Sequence, residues 1–204
     1  MKYFLLLIVC ILFINGCGPC PDCGCDNVDD CLSKYKFEEA RKYASNLKDY
    51  EYSDDFIPEK TGTNPKGDAF FKIICSETNY WINQNELNKA ENVAKELITL
   101  YVELKDYNGK EINKTYLELI HTIIIKHCEK KEYELAKQLA NGLTYSVDDD
   151  DLWIETKEYY NDIKKKLKSF QEIEPWHGND GYYKIIKYPR KEASQIIEEY
   201  ERGN

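Results

Sequence analysis

The sequence predicts an all-α body of antiparallel helical hairpins behind an irregular, cysteine-rich N-terminal segment. Three observations carry this prediction. One apolar pattern recurs three times without gaps. Its residues are spaced by three and four, the period of one stripe of a helix. Two of the three copies are joined to a preceding apolar stretch by four polar residues only. The expected organisation is a removable leader over residues 1–16, a tether over 17–30, a helical domain over 31–170, and a loop with a capping helix over 171–204.

The leader begins with Met1 and Lys2, a small positive start, and continues as an unbroken apolar run from Tyr3 to Ile14. A helix needs about 20 apolar residues to cross a bilayer, so this run is too short for a settled span and has the length of a secretory h-region. The stretch Ile14-Asn15-Gly16-Cys17 follows. It resembles the lipobox of bacterial lipoproteins, with an aliphatic residue three before the cysteine and a small residue just before it. The resemblance covers residues 1–17 and implies cleavage between Gly16 and Cys17. It also implies a diacylglycerol on the Cys17 thiol and an acyl chain on its new amino group, with no other cofactor. Gly18 resembles the residues that allow release to the outer membrane in a cell with two membranes. Two or three acyl chains give stable anchoring, at about 0.8 kcal/mol per buried methylene.

Cleavage would leave 188 residues, and because residues 1–16 hold Lys2 and no acid, the net charge would move from −9 to −10. Nucleic acid is excluded as an expected partner, since phosphate binding needs clustered Lys and Arg. An acidic body is also repelled by anionic headgroups, so the lipid must do the anchoring.

Of eight cysteines, Cys10 leaves with the leader and Cys17 takes the lipid. Four of the other six crowd together as Cys20, Cys23, Cys25 and Cys31. Thiolates at such spacings can hold zinc, but an exported chain meets conditions in which disulfides persist, so the favoured reading is a tether stiffened by local disulfides. Six cysteines allow fifteen pairings, among which spacing does not choose. Cys75 and Cys128 lie in apolar helical stretches and read as small buried residues.

The three repeat copies are Phe37–Leu47, Leu87–Leu97 and Tyr133–Leu143. Each opens on a large apolar residue and places alanines at the same two offsets: Ala40 and Ala44, Ala90 and Ala94, Ala136 and Ala140. Alanines on one stripe let a second helix approach closely along a seam. Upstream of the second copy, Phe70, Phe71, Ile74, Trp81 and Ile82 form an apolar face with Asp68 as the expected N-cap; Leu117, Ile120, Ile123 and Ile124 do the same upstream of the third. The connections Asn83–Glu86 and Glu129–Glu132 are short enough for helical hairpins. The first copy is expected to lack a first helix, because the tether occupies that place.

Over roughly residues 30–145 these features resemble tetratricopeptide-type repeats, whose second helix opens on a large apolar residue followed by small ones. The resemblance implies a short stacked array that presents a groove to a protein or peptide. The spacings here, 50 from Ala40 to Ala90 and 46 from Ala90 to Ala136, exceed the usual 34 or so. The extra length is assigned to connections. Asp49–Gly67, with Pro58, Gly62, Pro65 and Gly67, reads as a long loop, and Asp106–Lys110 as a turn. Within the loop, Tyr50–Phe56 mixes aromatic and acidic residues; a contact surface is one reading and a solvated loop the favoured one.

Asp148–Asp151 is read as the acidic start of a helix running to about Ser169, with Trp153, Tyr160, Ile163, Leu167 and Phe170 along one face. Glu174–Gly181 is turn-rich, Tyr182–Tyr188 reads as a short extended piece, and Arg190–Arg202 as a charged final helix that caps the core. Catalytic motifs are absent from the sequence. His121 and Cys128 share a helix face and form the one candidate for thiol–imidazole chemistry; His127 points elsewhere and His177 lies in a loop. The expected function is a lipid-anchored adaptor for a protein or peptide of the cell envelope. The alternative is a metal- or small-ligand-binding lipoprotein centred on the cysteine cluster.

Overall fold

A computed structural model describes residues 24–49, 64–104, 109–143, 147–149, 157–175 and 183–203. The leader, Gly16, Cys17, Cys20, Cys23, the Tyr50–Phe56 stretch, Asp150, Asp151, Trp153 and His177 lie outside these residues. The chain divides into two compact units, Met1–Tyr80 and Trp81–Asn204. It is predominantly helical, as the sequence predicts.

The first unit contains α1 (Val28–Ser33), α2 (Phe37–Ser45) and most of α3 (Pro65–Asn83). A first helix therefore does precede the first repeat copy, where the sequence reading placed only tether. The Asn27 side chain caps α1 by accepting from the Asp30 amide at 3.0 Å. One core cluster holds Cys25, Cys31, Ala40, Ala44, Ala69 and Ile73, with Val28, Leu32 and Phe70 partly buried against it, and Phe37 and Ile74 are buried as well. Arg41 meets Glu77 at 2.7 Å and ties α2 to α3.

The start of α3 corrects the sequence reading. Asn64, not Asp68, is the cap: its side chain accepts from the Gly67 amide at 2.7 Å, and Pro65 occupies the first helical position. Proline is well suited there because the amide it lacks has no partner within the helix anyway. Pro65 and Gly67, read as loop, are thus helical.

The second unit is built around α6 (Gly109–Glu129), the longest helix described. Packed on it are α4 (Leu87–Ala94), α5 (Glu96–Leu104), α7 (Tyr133–Gly142) and α9 (Pro189–Arg202). Only Lys95 interrupts the run from α4 into α5. Leu117, Ile120, Ile123 and Ile124 are all buried, as are Leu97, Leu100 and Leu104 from α5 and Ala193 and Ile197 from α9. The final helix covers the core as expected, beginning one residue earlier, at Pro189.

A small sheet completes this unit. Its strands β1 (Val147–Asp149), β2 (Gln171–Pro175) and β3 (Tyr183–Lys187) lie in the order β1-β3-β2, all antiparallel. β3 is the extended piece expected over 182–188. The reading of Asp148 and Asp149 as a helix start is overturned: they pair with Ile186 and Ile185 of β3. The central strand, with Ile185 and Ile186 both buried, offers backbone partners on either side. The helix expected there is described as α8 (Lys157–Lys166), and Phe170 is buried beyond its end.

Candidate functional site

The three repeat copies share more than alanines. Tyr35, Asn85 and Lys131, each two residues before a repeat helix, adopt φ of 57°, 62° and 62°. Next, the amides of Lys36, Glu86 and Glu132 donate to the carbonyls of Cys31, Trp81 and His127 at 2.9, 3.0 and 2.9 Å. The amides of Tyr35, Asn85 and Lys131 donate to Leu32, Ile82 and Cys128. This is the Schellman arrangement, in which a left-handed residue lets the last turn satisfy its own carbonyls. The chain thus enters each repeat helix through the same turn. All six alanines, Ala40, Ala44, Ala90, Ala94, Ala136 and Ala140, are buried, so they serve packing and are not a surface that a partner could touch. Leu97 and Leu143 follow them inside, whereas Leu47 is exposed.

Among the cysteines, Cys25 and Cys31 form a disulfide with Cα atoms 5.0 Å apart. As a bonded pair they offer no thiolate to a metal. Among the described residues no group of His, Cys, Asp and Glu is arranged to hold a metal ion.

His121 and Cys128 are not brought together. Seven residues of helix separate them by about 10 Å along the axis. The His121 Nε2 lies 3.3 Å from the Pro189 carbonyl and its Nδ1 lies 3.9 Å from Glu192, which directs the ring toward α9. Cys128 is buried, and burial, with the Glu201 charge adding to it, pushes its thiol up. That is the reverse of what an attacking thiolate needs. His127 is also buried, with Nδ1 2.7 Å from the Glu132 carboxylate across the α6–α7 turn, a contact that holds the hairpin closed. A shallow cleft of about 280 Å³ between α7 and α9 is lined in part by Lys137, Asn141, Ser194 and Glu198. Its cation is already engaged, since Lys137 meets Glu201 at 2.6 Å.

Among the described residues, a surface feature that packing does not explain is on α5. Leu97, Leu100 and Leu104 face the core, while Ile98, Tyr101 and Val102 remain 43%, 39% and 69% exposed. At 100° per residue, the second trio forms a stripe turned about 120° from the first. Thr99 and Glu103 complete the helix on a third, polar side and are exposed. A helix that only covers a core needs one apolar stripe, and this one carries two. The second repeat copy ends at Leu97, so the repeat pattern does not reach this stripe. The signal was available, because Leu97–Leu104 holds six large apolar residues in eight, more than one face can use.

Compared with family models, curated proteins and solved structures, the chain finds no match in any of the three. No described helix is long and apolar enough to cross a membrane.

Proposed function

We propose that this chain is a lipid-anchored adaptor of the bacterial cell envelope, held by acyl chains on Cys17 and binding a protein or peptide through its helical body. The observation that supports binding is the exposed stripe Ile98, Tyr101 and Val102 on a helix whose other apolar stripe is already buried. Contiguous exposed apolar surface costs solubility and is typical of contact sites. The spacing of three and four suits an apolar ridge on the partner, such as one face of an amphipathic helix. The reading of the anchor rests on the order of Lys2, the apolar run, Gly16 and Cys17. With Gly18 next, the expected destination in a cell with two membranes is the outer one.

A photo-crosslinking residue placed at 102, and separately at 99, tests the adaptor reading in cells. Reproducible capture of one envelope protein from position 102, lost from 99 and from a Cys17→Ala chain, supports it. Equal capture from 99 and 102, or none from either, refutes it.

A further inference from the structure

We propose that the Cys25–Cys31 disulfide is a redox latch: oxidised, it holds residues 24–36 onto α2 and α3, and reduced, it releases them while the second unit stays folded. Few other contacts hold this segment. α1 has six residues, and Cys31 is its one buried side chain. Isolated helices shorter than about 12 residues do not persist in water, so α1 depends on its attachments. Three of the six residues in the cluster around the cystine are alanines, and the cystine is the largest apolar group that the N-terminal segment contributes to that cluster. Val28 and Leu32 add partial burial, and the half-exposed Tyr35 ring packs 4.9 Å from Tyr80 of α3. Lys34 meets Asp30 at 3.0 Å, partly buried, and donates to the Gly24 carbonyl at 2.9 Å, both within the segment itself, and the tie to α3, Lys72 with Asp29, is an exposed ion pair. Ion pairs of that kind add little. The Tyr43 hydroxyl donates to the Cys25 carbonyl at 2.7 Å, a contact that itself requires Cys25 to be in place.

The cystine closes a span of six residues. Closing so short a loop removes chain entropy from the open state, which favours the closed segment by roughly 40-fold. The reductive step is two-electron exchange with a dithiol. A reductant thiolate attacks the Cys25 sulfur, the more exposed of the two, and Cys31 departs as a thiolate. The second reductant thiol then closes its own disulfide and releases Cys25, and both thiolates take up a proton. Cys25 is 9% exposed and Cys31 0%, so attack waits on local opening and is slow. One consequence rests on the export reading above: the segment stays open in a reducing compartment and closes after the chain reaches an oxidising one. The latch itself does not depend on that reading.

Hydrogen exchange of the full chain, followed by mass spectrometry with and without dithiothreitol, tests the latch. Reduction is expected to speed exchange over 24–36 by roughly 40-fold and leave α6 and α7 unchanged. A double variant, Cys25→Ser with Cys31→Ser, is expected to exchange like the reduced chain and to ignore dithiothreitol. Unchanged exchange over 24–36 once both thiols are shown to be reduced would overturn the proposal. So would equal acceleration in α6 and α7, which would mean global unfolding, or a response of the double variant to dithiothreitol, which would assign the effect to other cysteines. The N-terminal mass of the cellular chain reports on export separately, so the two readings fail independently.

Discussion

Replacing Lys131 by glycine should make the protein more stable. Lys131 closes the α6–α7 turn with φ of 62° and an exposed side chain. A residue with a Cβ loses about 1–2 kcal/mol in that left-handed region, because the Cβ crowds the following carbonyl oxygen. Glycine escapes that cost but surrenders about 0.5–1 kcal/mol of unfolded-state entropy when it is fixed. Taken at the centre of each range, the difference is a gain of about 0.75 kcal/mol for Lys131→Gly. The same geometry at Asn85 should yield little, since asparagine already tolerates the left-handed region. At Tyr35 glycine would also remove the ring packed 4.9 Å from Tyr80, a contact contributing about 0.5–1.5 kcal/mol that offsets the relief. Urea unfolding followed by tryptophan fluorescence reads the first two cases well, because Trp81, Trp153 and Trp176 all belong to the second unit. With a slope near 2 kcal/mol per molar, the Lys131→Gly midpoint should rise by about 0.25–0.5 M. A fall in the midpoint, or a gain for Asn85→Gly as large as that for Lys131→Gly, would refute the reasoning.

Three further outcomes follow from the same geometry. Ala136→Leu should lose about 1–3 kcal/mol by overpacking a fully buried seam position, whereas Leu135→Ala on the exposed side should change little; urea midpoints of the two variants compare them directly. Cys128 should resist alkylation in the folded chain and react at the rate of global unfolding, since it is buried with its thiol pushed up; fast labelling under native conditions would contradict this. Asp30 is held below the ordinary 3.8 by hydrogen bonds from Lys34 and then from the Asp26 amide. Its contribution to α1 is therefore complete above 3.8 and lost as pH falls further, through the folded value. Exchange over 24–36 should rise in that acid range, and Asp30→Asn should remove that pH dependence.

The parts of the fold that were legible in the sequence are those fixed by periodicity. Ala90, Ala94, Ala136 and Ala140 at helical spacing, with large residues at each end, leave few alternatives to a helix packed along a seam. The turns at 83–86 and 129–132 were visible as polar stretches and the one at 33–36 was not, and the left-handed residues were hidden in all three, because Tyr35, Asn85 and Lys131 stand where glycine would have announced the geometry. Pro65 and Gly67 pointed the wrong way at the start of α3, since a proline in the first helical turn and a proline in a loop look alike until Asn64 is seen capping the helix. The sheet was hidden for a different reason: Val147-Asp148-Asp149 and Gln171–Pro175 have too few apolar residues to show alternation, and their pairing depends on the central strand with Ile185 and Ile186. The disulfide could not be chosen from fifteen pairings because short α1, which brings Cys31 back toward Cys25, was itself unforeseen. The exposed stripe on α5 was present in the sequence as an excess of apolar residues, but only burial separates the stripe that packs from the one that does not.

The proposed function requires a lipid anchor at Cys17. The most direct measurement is the mass of the N-terminal peptide from the protein as it occurs in the cell membrane. The expected result is a chain that begins at Cys17 and carries a diacylglyceryl thioether with an acyl group on the new amino terminus. A chain that keeps Met1, or one that begins at Cys17 without lipid, would contradict it.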